Sequence, residues 1–458
     1  DRMLSHLQAE EVGDGAASAY APLAQVLSEL DAEDWLRHGG MNAESVRPFL
    51  DRYLDRSVKL RHPLHMAHQV SVPDYPAGLA AMINGLTNNP MAVYEMGPAA
   101  AALEFAVINW MLEAVGWSAQ PMRLDNADAQ HGAGVLTHGG SLANLTCLLA
   151  ARGRAVPNAW QDGVPSDLVV MVPPTSHYSI ARALSIIGLG EAAIEPMPEG
   201  EWGRVASDGL ARSLAAITAR GKRCIAVVAN ACATATGLHD PLRDIGEFCQ
   251  ANDLWFHVDA CHGATALLSD TERHWLDGIE LADSVVWDTH KMMQVPALCA
   301  AVLFRDHRSF AHLFEQDASY LAYGDDADSY DSLPRALECT KAALSFKVFM
   351  NVAWRGAEAL GAYVANQYAT ARRFFQLINA RSGFDCPFEP ETNILLFRYG
   401  DDDALQQRIR DEMVREGSAH ITSAMVAGRR WLRLTVMNPL SDDAALNRVL
   451  DLIESKAT

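Results

Sequence analysis

Short, mostly apolar runs alternate with helical stretches through the middle of the chain. Gly132 to Thr137, Leu168 to Val172, Cys224 to Ala229, Leu254 to Val258, Ser284 to Trp287 and Cys299 to Phe304 are each four to six residues long. Runs of that length with no polar alternation read as strands buried on both faces. Between them, Leu142 to Arg154, a stretch stopped by Gly188, and a segment with Leu242, Ile245 and Phe248 on one face have helical spacing. Asp240-Pro241 opens the last of these, since proline at a first helical position loses no needed donor. This alternation predicts an α/β fold with a mostly parallel sheet and right-handed crossovers. Cys299 to Phe304 is expected as an adjoining antiparallel strand.

The flanks follow other patterns. Leu23, Val26, Leu27 and Leu30 recur at helical spacing, so residues 1–75 are expected to form a helical arm, too small to bury its own apolar face. Between Arg61 and Pro98 the prolines at 63, 73, 76 and 90 are expected to break any long helix. Ala99 to Val115 reads as a buried helix ending at Gly116, and Cys339 to Gly361 as one long helix. The expected domains are the arm, a large domain over 76–345, and a small C-terminal α+β domain over 346–458 with strands at Asn393 to Phe397 and Trp431 to Val436. Asp306 to Leu333, polar with Tyr320, Tyr323 and Tyr330, is expected to be a mobile loop, a lid.

Composition narrows the functional classes. A hydrophobic fraction of 49% with 21% charged residues is globular, and a net charge of -20 argues against nucleic acid or an anionic membrane as partner. No uninterrupted apolar span long enough to cross a bilayer stands out, and the first residues lack a signal-peptide core, so a cytoplasmic protein is expected. The eight cysteines are scattered without a C-x-x-C pair, which argues for reduced thiols.

Candidate chemistry collects at the carboxyl ends of the strands, where α/β sheets gather ligands. Gly140 and Ser141 open a helix whose free amides and positive dipole end suit a phosphate. His177, Thr234, Asp259, His290 and Lys291 follow four other runs. A lysine at the mouth of a buried strand can lose its proton to desolvation and attack a carbonyl, so Lys291 is expected to hold a cofactor aldehyde as a Schiff base. Pyridoxal 5'-phosphate would find every handle filled. Gly140, Ser141, Thr234 and His290 suit its phosphate, Asp259 its ring nitrogen, Lys291 its aldehyde and His177 one ring face. The rival reading makes His257, Asp259 and His262 ligands of a divalent metal in a hydrolase, which leaves Lys291, Gly140 and Ser141 without roles.

Taken together, Thr137-His138-Gly139-Gly140-Ser141-Leu142-Ala143-Asn144, Ser176-His177, His257-Val258-Asp259-Ala260 and Asp288-Thr289-His290-Lys291-Met292-Met293 resemble the motifs of group II pyridoxal phosphate-dependent amino-acid decarboxylases. The resemblance runs from about His62 through Trp431-Leu432-Arg433-Leu434. It implies the aspartate aminotransferase-like fold (type I), a homodimer with active sites at the interface, and decarboxylation of an L-amino acid through a quinonoid. It also implies residue roles: Lys291 as the Schiff-base lysine, Asp259 on the ring nitrogen, His177 stacked on the ring, Ala260 or Cys261 on the other face, His290 at the phosphate and Arg433 on the substrate α-carboxylate. The acid that reprotonates the substrate carbon would be a loop tyrosine, Tyr330 first and Tyr323 second. His138 and Lys341 depart from the usual motif residues and, with Tyr94, are expected to shape the substrate pocket. A second outcome on the same scaffold is oxidative decarboxylation to an aldehyde.

Overall fold

The computed structural model describes residues 2–122, 130–314 and 330–457. It divides into two compact units, one of residues 73–366 and one joining 1–72 to 367–458.

A seven-stranded sheet organises the first unit. Its strands are β1 (Ala133–Thr137), β2 (Leu168–Val172), β3 (Ile194–Pro196), β4 (Arg223–Asn230), β5 (Trp255–Asp259), β6 (Ser284–Asp288) and β7 (Ala300–Phe304), in the order β1-β7-β6-β5-β4-β2-β3. The expected antiparallel strand is β7, which pairs antiparallel with both β1 and β6; the other pairs are parallel. Since β7 reverses direction between them, β1 and β6 point the same way. The carboxyl ends of β1, β6, β5, β4 and β2 therefore lie along one edge.

Alternation within the strands covers both faces. Val286, Val302, Val228 and Trp255 pack with Ala143, Leu148 and Ala151 of the Gly140–Ala155 helix. The intervening residues face the other way: the Trp287 ring lies 6.0 Å from Trp110 of the Pro98–Val115 helix, and Phe256 abuts Gly246 of the Leu242–Ala251 helix. That double burial is why these strands are continuous apolar runs.

Three expectations change. Pro76 does not break a helix but starts one, Tyr75–Thr87, where its missing N–H costs nothing. The long helix expected over 339–361 is two helices, Ser345–Arg355 and Ala357–Asn379, parted at Gly356 with φ of +78°. Residues 339–344 stay non-helical because Lys341 is buried on Glu104 and Ala342 bridges Pro90. Finally, the Pro98–Val115 helix is apolar and long enough to span a bilayer by composition, yet it carries the fully buried Glu104 and packs on β1 and β7.

In the second unit, β8 (Phe384–Asp385), β9 (Ile394–Tyr399), β10 (Thr422–Val426) and β11 (Arg429–Thr435) form an antiparallel sheet in the order β10-β11-β9-β8. Leu395, Phe397, Leu432 and Leu434 pack with Ile409, Met413, Leu446 and Val449 of the helices Asp403–Glu416 and Asp443–Ala457. The N-terminal helices Arg2–Glu11, Leu23–Glu29, Ala32–His38 and Ala43–Asp55 belong to the same unit, with Ala17 and Leu64 inside that core.

Candidate active site

Residues following five strands meet around a cleft of about 370 Å³, within the usual range for a small-molecule site. His138 to Ser141 enter after β1, His177 and Ser179 after β2, Asn230 and Thr234 from β4, Asp259 and Cys261 from β5, and Asp288, His290 and Lys291 from β6. Seven of the residues expected at a cofactor, Gly140, Ser141, His177, Thr234, Asp259, His290 and Lys291, line this one cleft.

The glycines at the helix start are required by the geometry. Gly139, ahead of the helix, has φ of +100°, which a side chain would strain. A Cβ on Gly140 would fall 2.5 Å from the Cys261 sulfur and 3.0 Å from an Asp288 oxygen. The space in front of the helix amides is thus kept open by a residue without a side chain, which suits an anion approaching the backbone.

Asp259 is held by a directional network. Asn144 Nδ2 donates to Asp259 Oδ2 (2.9 Å) and to Ser179 Oγ (3.0 Å). Ser179 Oγ lies 2.8 Å from His177 Nδ1, which also accepts from the Ser179 amide at 3.3 Å. On the other side, Asn144 Oδ1 lies 3.0 Å from His257 Nε2, His257 Nδ1 lies 2.9 Å from Ser284 Oγ, and Trp255 Nε1 donates to that hydroxyl at 2.9 Å. One assignment satisfies all of them: Ser284 donates to His257 Nδ1, His257 Nε2 donates to Asn144, and Ser179 donates to His177 Nδ1, leaving the His177 proton on Nε2. Burial pushes His257 down to about 4 and lowers His177, so both are neutral near pH 7. Burial alone would raise the Asp259 carboxyl. The Cys261 thiol, Lys291, His257 and Asn144 outweigh it and hold the group below the usual carboxylate value, and the Cys261 amide also donates to Oδ1 at 3.2 Å.

This network takes His257 out of the proposed metal set. Both His257 nitrogens are occupied, and no metal-like cluster of His, Cys, Asp or Glu occurs among the described residues.

Lys291 differs from expectation in one respect. Burial does work against its charge, but Asp288 Oδ2 lies 3.0 Å from Nζ, and Asp288 with Asp259 holds the ammonium above the ordinary lysine range. Desolvation therefore does not free the amine by itself. Asp288 Oδ1 is buried and has no partner among the described residues. His290 is fixed by the Cys299 carbonyl, 2.8 Å from Nδ1.

The remaining expected residues are dispersed. Cys261 lines the cleft, whereas Ala260 is fully buried and is not part of its wall. His138 stands at the rim with Nδ1 2.8 Å from Glu338 Oε1. Tyr94 packs away from the cleft, beside the cluster of Met91, Ala100 and Ala101, with its amide donating to Asp331 at 2.7 Å. Lys341 does not shape the pocket; it pairs with Glu104, both fully buried. The structure does not bring Tyr330 to the cleft: its hydroxyl donates to the Gly134 carbonyl at 3.2 Å and its ring packs edge-on against Phe105. Tyr323, and most of the expected lid, lie outside the described residues. Arg433 belongs to the second unit, on β11, where its guanidinium donates to the Ala67 carbonyl at 3.4 Å. Asn144 and Asp288 are the residues that sequence reasoning missed. Both stood inside the quoted motifs, but neither has a cofactor handle of its own to suggest it.

The residues present fit pyridoxal phosphate. The cleft offers an amine, a carboxylate buried beside neutral imidazoles, an orphaned carboxylate oxygen and a helix start that a Cβ would obstruct.

Similarity to known proteins agrees. The pyridoxal-dependent decarboxylase conserved domain matches residues 45–400. L-2,4-diaminobutyrate decarboxylase of Acinetobacter baumannii is 27% identical over 421 residues, covering 87% of this chain and 80% of that protein. Cysteine sulfinic acid decarboxylase of Homo sapiens is 31% identical over 362 residues, covering 76% of this chain and 70% of that protein. The crystal structure of mouse CSAD superposes with a TM-score of 0.89 at 26% identity, covering 100% of this chain and 98% of that one. The chain belongs to the pyridoxal-dependent decarboxylase family and is a pyridoxal 5'-phosphate-dependent amino-acid decarboxylase.

Proposed function

We propose that the protein removes the α-carboxyl group of an L-amino acid, using Lys291, Asp259 and His177 as its working side chains. The observation that carries this is their convergence: an amine, a buried carboxylate and a glycine-opened helix start face one cleft. Lys291 would hold the cofactor covalently, and Gly140, Ser141, Thr234 and His290 would receive its phosphate. When bound, pyridoxal phosphate supplies an electron sink for the pair left behind by departing carbon dioxide.

The chain's own residues prepare that step. Asp259, ionised and fixed by Asn144 and the Cys261 amide, keeps a proton on a ring nitrogen placed against it. His177, neutral and oriented by Ser179, presents a flat face without placing a positive charge against the ring. Buried Cys261 and the β-strand ends exclude water from the base of the cleft, where electrostatic interactions are then strong.

The protein is further proposed to act as a homodimer in the cytoplasm. On the Tyr75–Thr87 helix, Tyr75, Leu79, Met82 and Leu86 form one stripe and are 49–81% exposed, an apolar face that a second copy would cover. The eight cysteines are thiols that form no disulfide, in keeping with a reducing compartment. Light scattering should return twice the chain mass, and Leu79→Asp should return the monomer mass; a monomeric native protein would refute the dimer.

The activity is tested on a panel of common and non-proteinogenic L-amino acids, following carbon dioxide and amine together with aldehyde and hydrogen peroxide. Stoichiometric carbon dioxide and amine from at least one substrate are expected. Carbon dioxide accompanied by aldehyde and peroxide would make it an oxidative enzyme, and no carbon dioxide from any substrate would refute decarboxylation.

A further inference from the structure

Asp288 stands between the two ends of the cofactor site. Its Oδ2 is 3.0 Å from Lys291 Nζ and 3.7 Å from His290 Nε2. Both of its oxygens lie within 3.1 Å of the point where a Cβ on Gly140 would be, so the carboxylate fronts the first residue of the helix that would take the phosphate. Its side chain is 2% exposed, and Oδ1 has no hydrogen-bond partner among the described residues. An ionised carboxylate in that position opposes a phosphate, because the two carry like charge. An ammonium beside it, meanwhile, has no lone pair with which to attack an aldehyde. Each end of the site is thus unready for the cofactor, and one proton would make both ready.

We infer that Asp288 couples the seating of the cofactor's phosphate to the freeing of the Lys291 amine, by taking the ammonium proton from Nζ as the anion arrives. One N–H bond breaks, one O–H bond forms on the carboxylate, and the positive and negative charges disappear together. Lys291 gains its lone pair, while Asp288 changes from an acceptor that repels phosphate into a neutral acid able to donate to it. Asp288 is in this sense a positioning residue that prepares the lysine. The groups facing Lys291 agree with this direction. Asp259 is already engaged by Asn144 and the Cys261 amide, Cys261 is a buried thiol held protonated, His290 is tied to the Cys299 carbonyl, and His177 is neutral. Asp288 is the carboxylate left with an open oxygen.

The inference rests on Lys291 as the covalent handle, and its test reads the cofactor-free full-length chain. Acetic anhydride labelling of Lys291, followed by mass spectrometry of its peptide against pH, should give a wild-type midpoint above the ordinary lysine value of about 10.4. Asp288→Asn, nearly isosteric, should lower that midpoint by about 1–3 pH units and tighten the binding of inorganic phosphate about tenfold. A wild-type midpoint at or below the ordinary value would overturn the inference without any variant. So would a folded Asp288→Asn protein, or Asp288→Ser in its place, in which neither labelling nor phosphate affinity changes. If pyridoxal phosphate never attaches to Lys291, the assignment of the handle itself fails; attachment with unaltered labelling and phosphate binding sinks only the role of Asp288.

Discussion

Asn144 illustrates how much a single side chain can carry without touching the chemistry. Its amide group reaches Asp259, Ser179 and His257 at once, spending two N–H donors and one acceptor oxygen on three partners. Asn144→Ala should leave those three groups short of a partner, cost about 1–3 kcal/mol of stability and lower turnover by about tenfold or more. Urea unfolding and steady-state kinetics measure both; unchanged values would mean that Asp259 is held by its other contacts. Tyr330 makes the opposite case. Tyr330→Phe removes a hydroxyl bonded to the Gly134 carbonyl, so about 1 kcal/mol of stability should be lost while kcat stays within about threefold. A large loss of kcat with an intact fold would restore Tyr330 as the proton donor. Lys291, Asp259, Gly140 and His177 were legible in the sequence because each pairs a distinctive chemistry with the end of an apolar run. Asn144 and Asp288 were not, because their importance lies in partners drawn from other strands, which residue type does not reveal.

Strands were the most readable elements, since burial on both faces removes all polar alternation. The helices were harder where tertiary contacts override local preference. Residues 339–344 have the composition of a helix, yet Lys341 is drawn into a fully buried pair with Glu104, whose Oε1 also accepts from the Leu136 amide of β1 at 3.0 Å. That pair ties the segment before the Ser345–Arg355 helix to both the Pro98–Val115 helix and the sheet. Lys341→Met leaves Glu104 buried without its cation and should destabilise the protein by about 3–5 kcal/mol. The double change with Glu104→Gln should cost less than the sum of the two single changes, as the shared interaction is counted once. Thermal and urea denaturation of the three variants decide it, and additive losses would argue against coupling. Pro76 was misread for a related reason: the same ring that breaks a helix interior is harmless at its first turn.

On the scale of the whole molecule, buried histidines set the response to acid. His257 is held down to about 4, His420 to about 4 and His65 to about 3, chiefly by burial, from an unfolded value of 6.5. Between pH 6.5 and about 4 the unfolded chain therefore binds protons that the folded chain refuses, and stability must fall as pH falls through that window. Asp240, raised to about 6 by burial, acts in the opposite sense, but it is one group against three. His257 alone is worth on the order of 3 kcal/mol. The urea midpoint should accordingly drop steadily from pH 7 to pH 5, with a shallower drop in His257→Gln; a flat profile in the native protein would contradict these burial assignments. The mostly parallel sheet with a smaller C-terminal unit was foreseeable from the alternation of runs and helices. The grouping of residues 1–72 with 367–458 was not, because it depends on contacts made across most of the chain's length.

The central claim is that Lys291 carries the cofactor, and one measurement addresses it directly. The protein saturated with pyridoxal phosphate is reduced with borohydride, digested, and the peptides are mapped by mass spectrometry. A single phosphopyridoxyl adduct on Lys291 is expected, absent from Lys291→Ala. An adduct confined to another lysine, or none at all, would contradict the account.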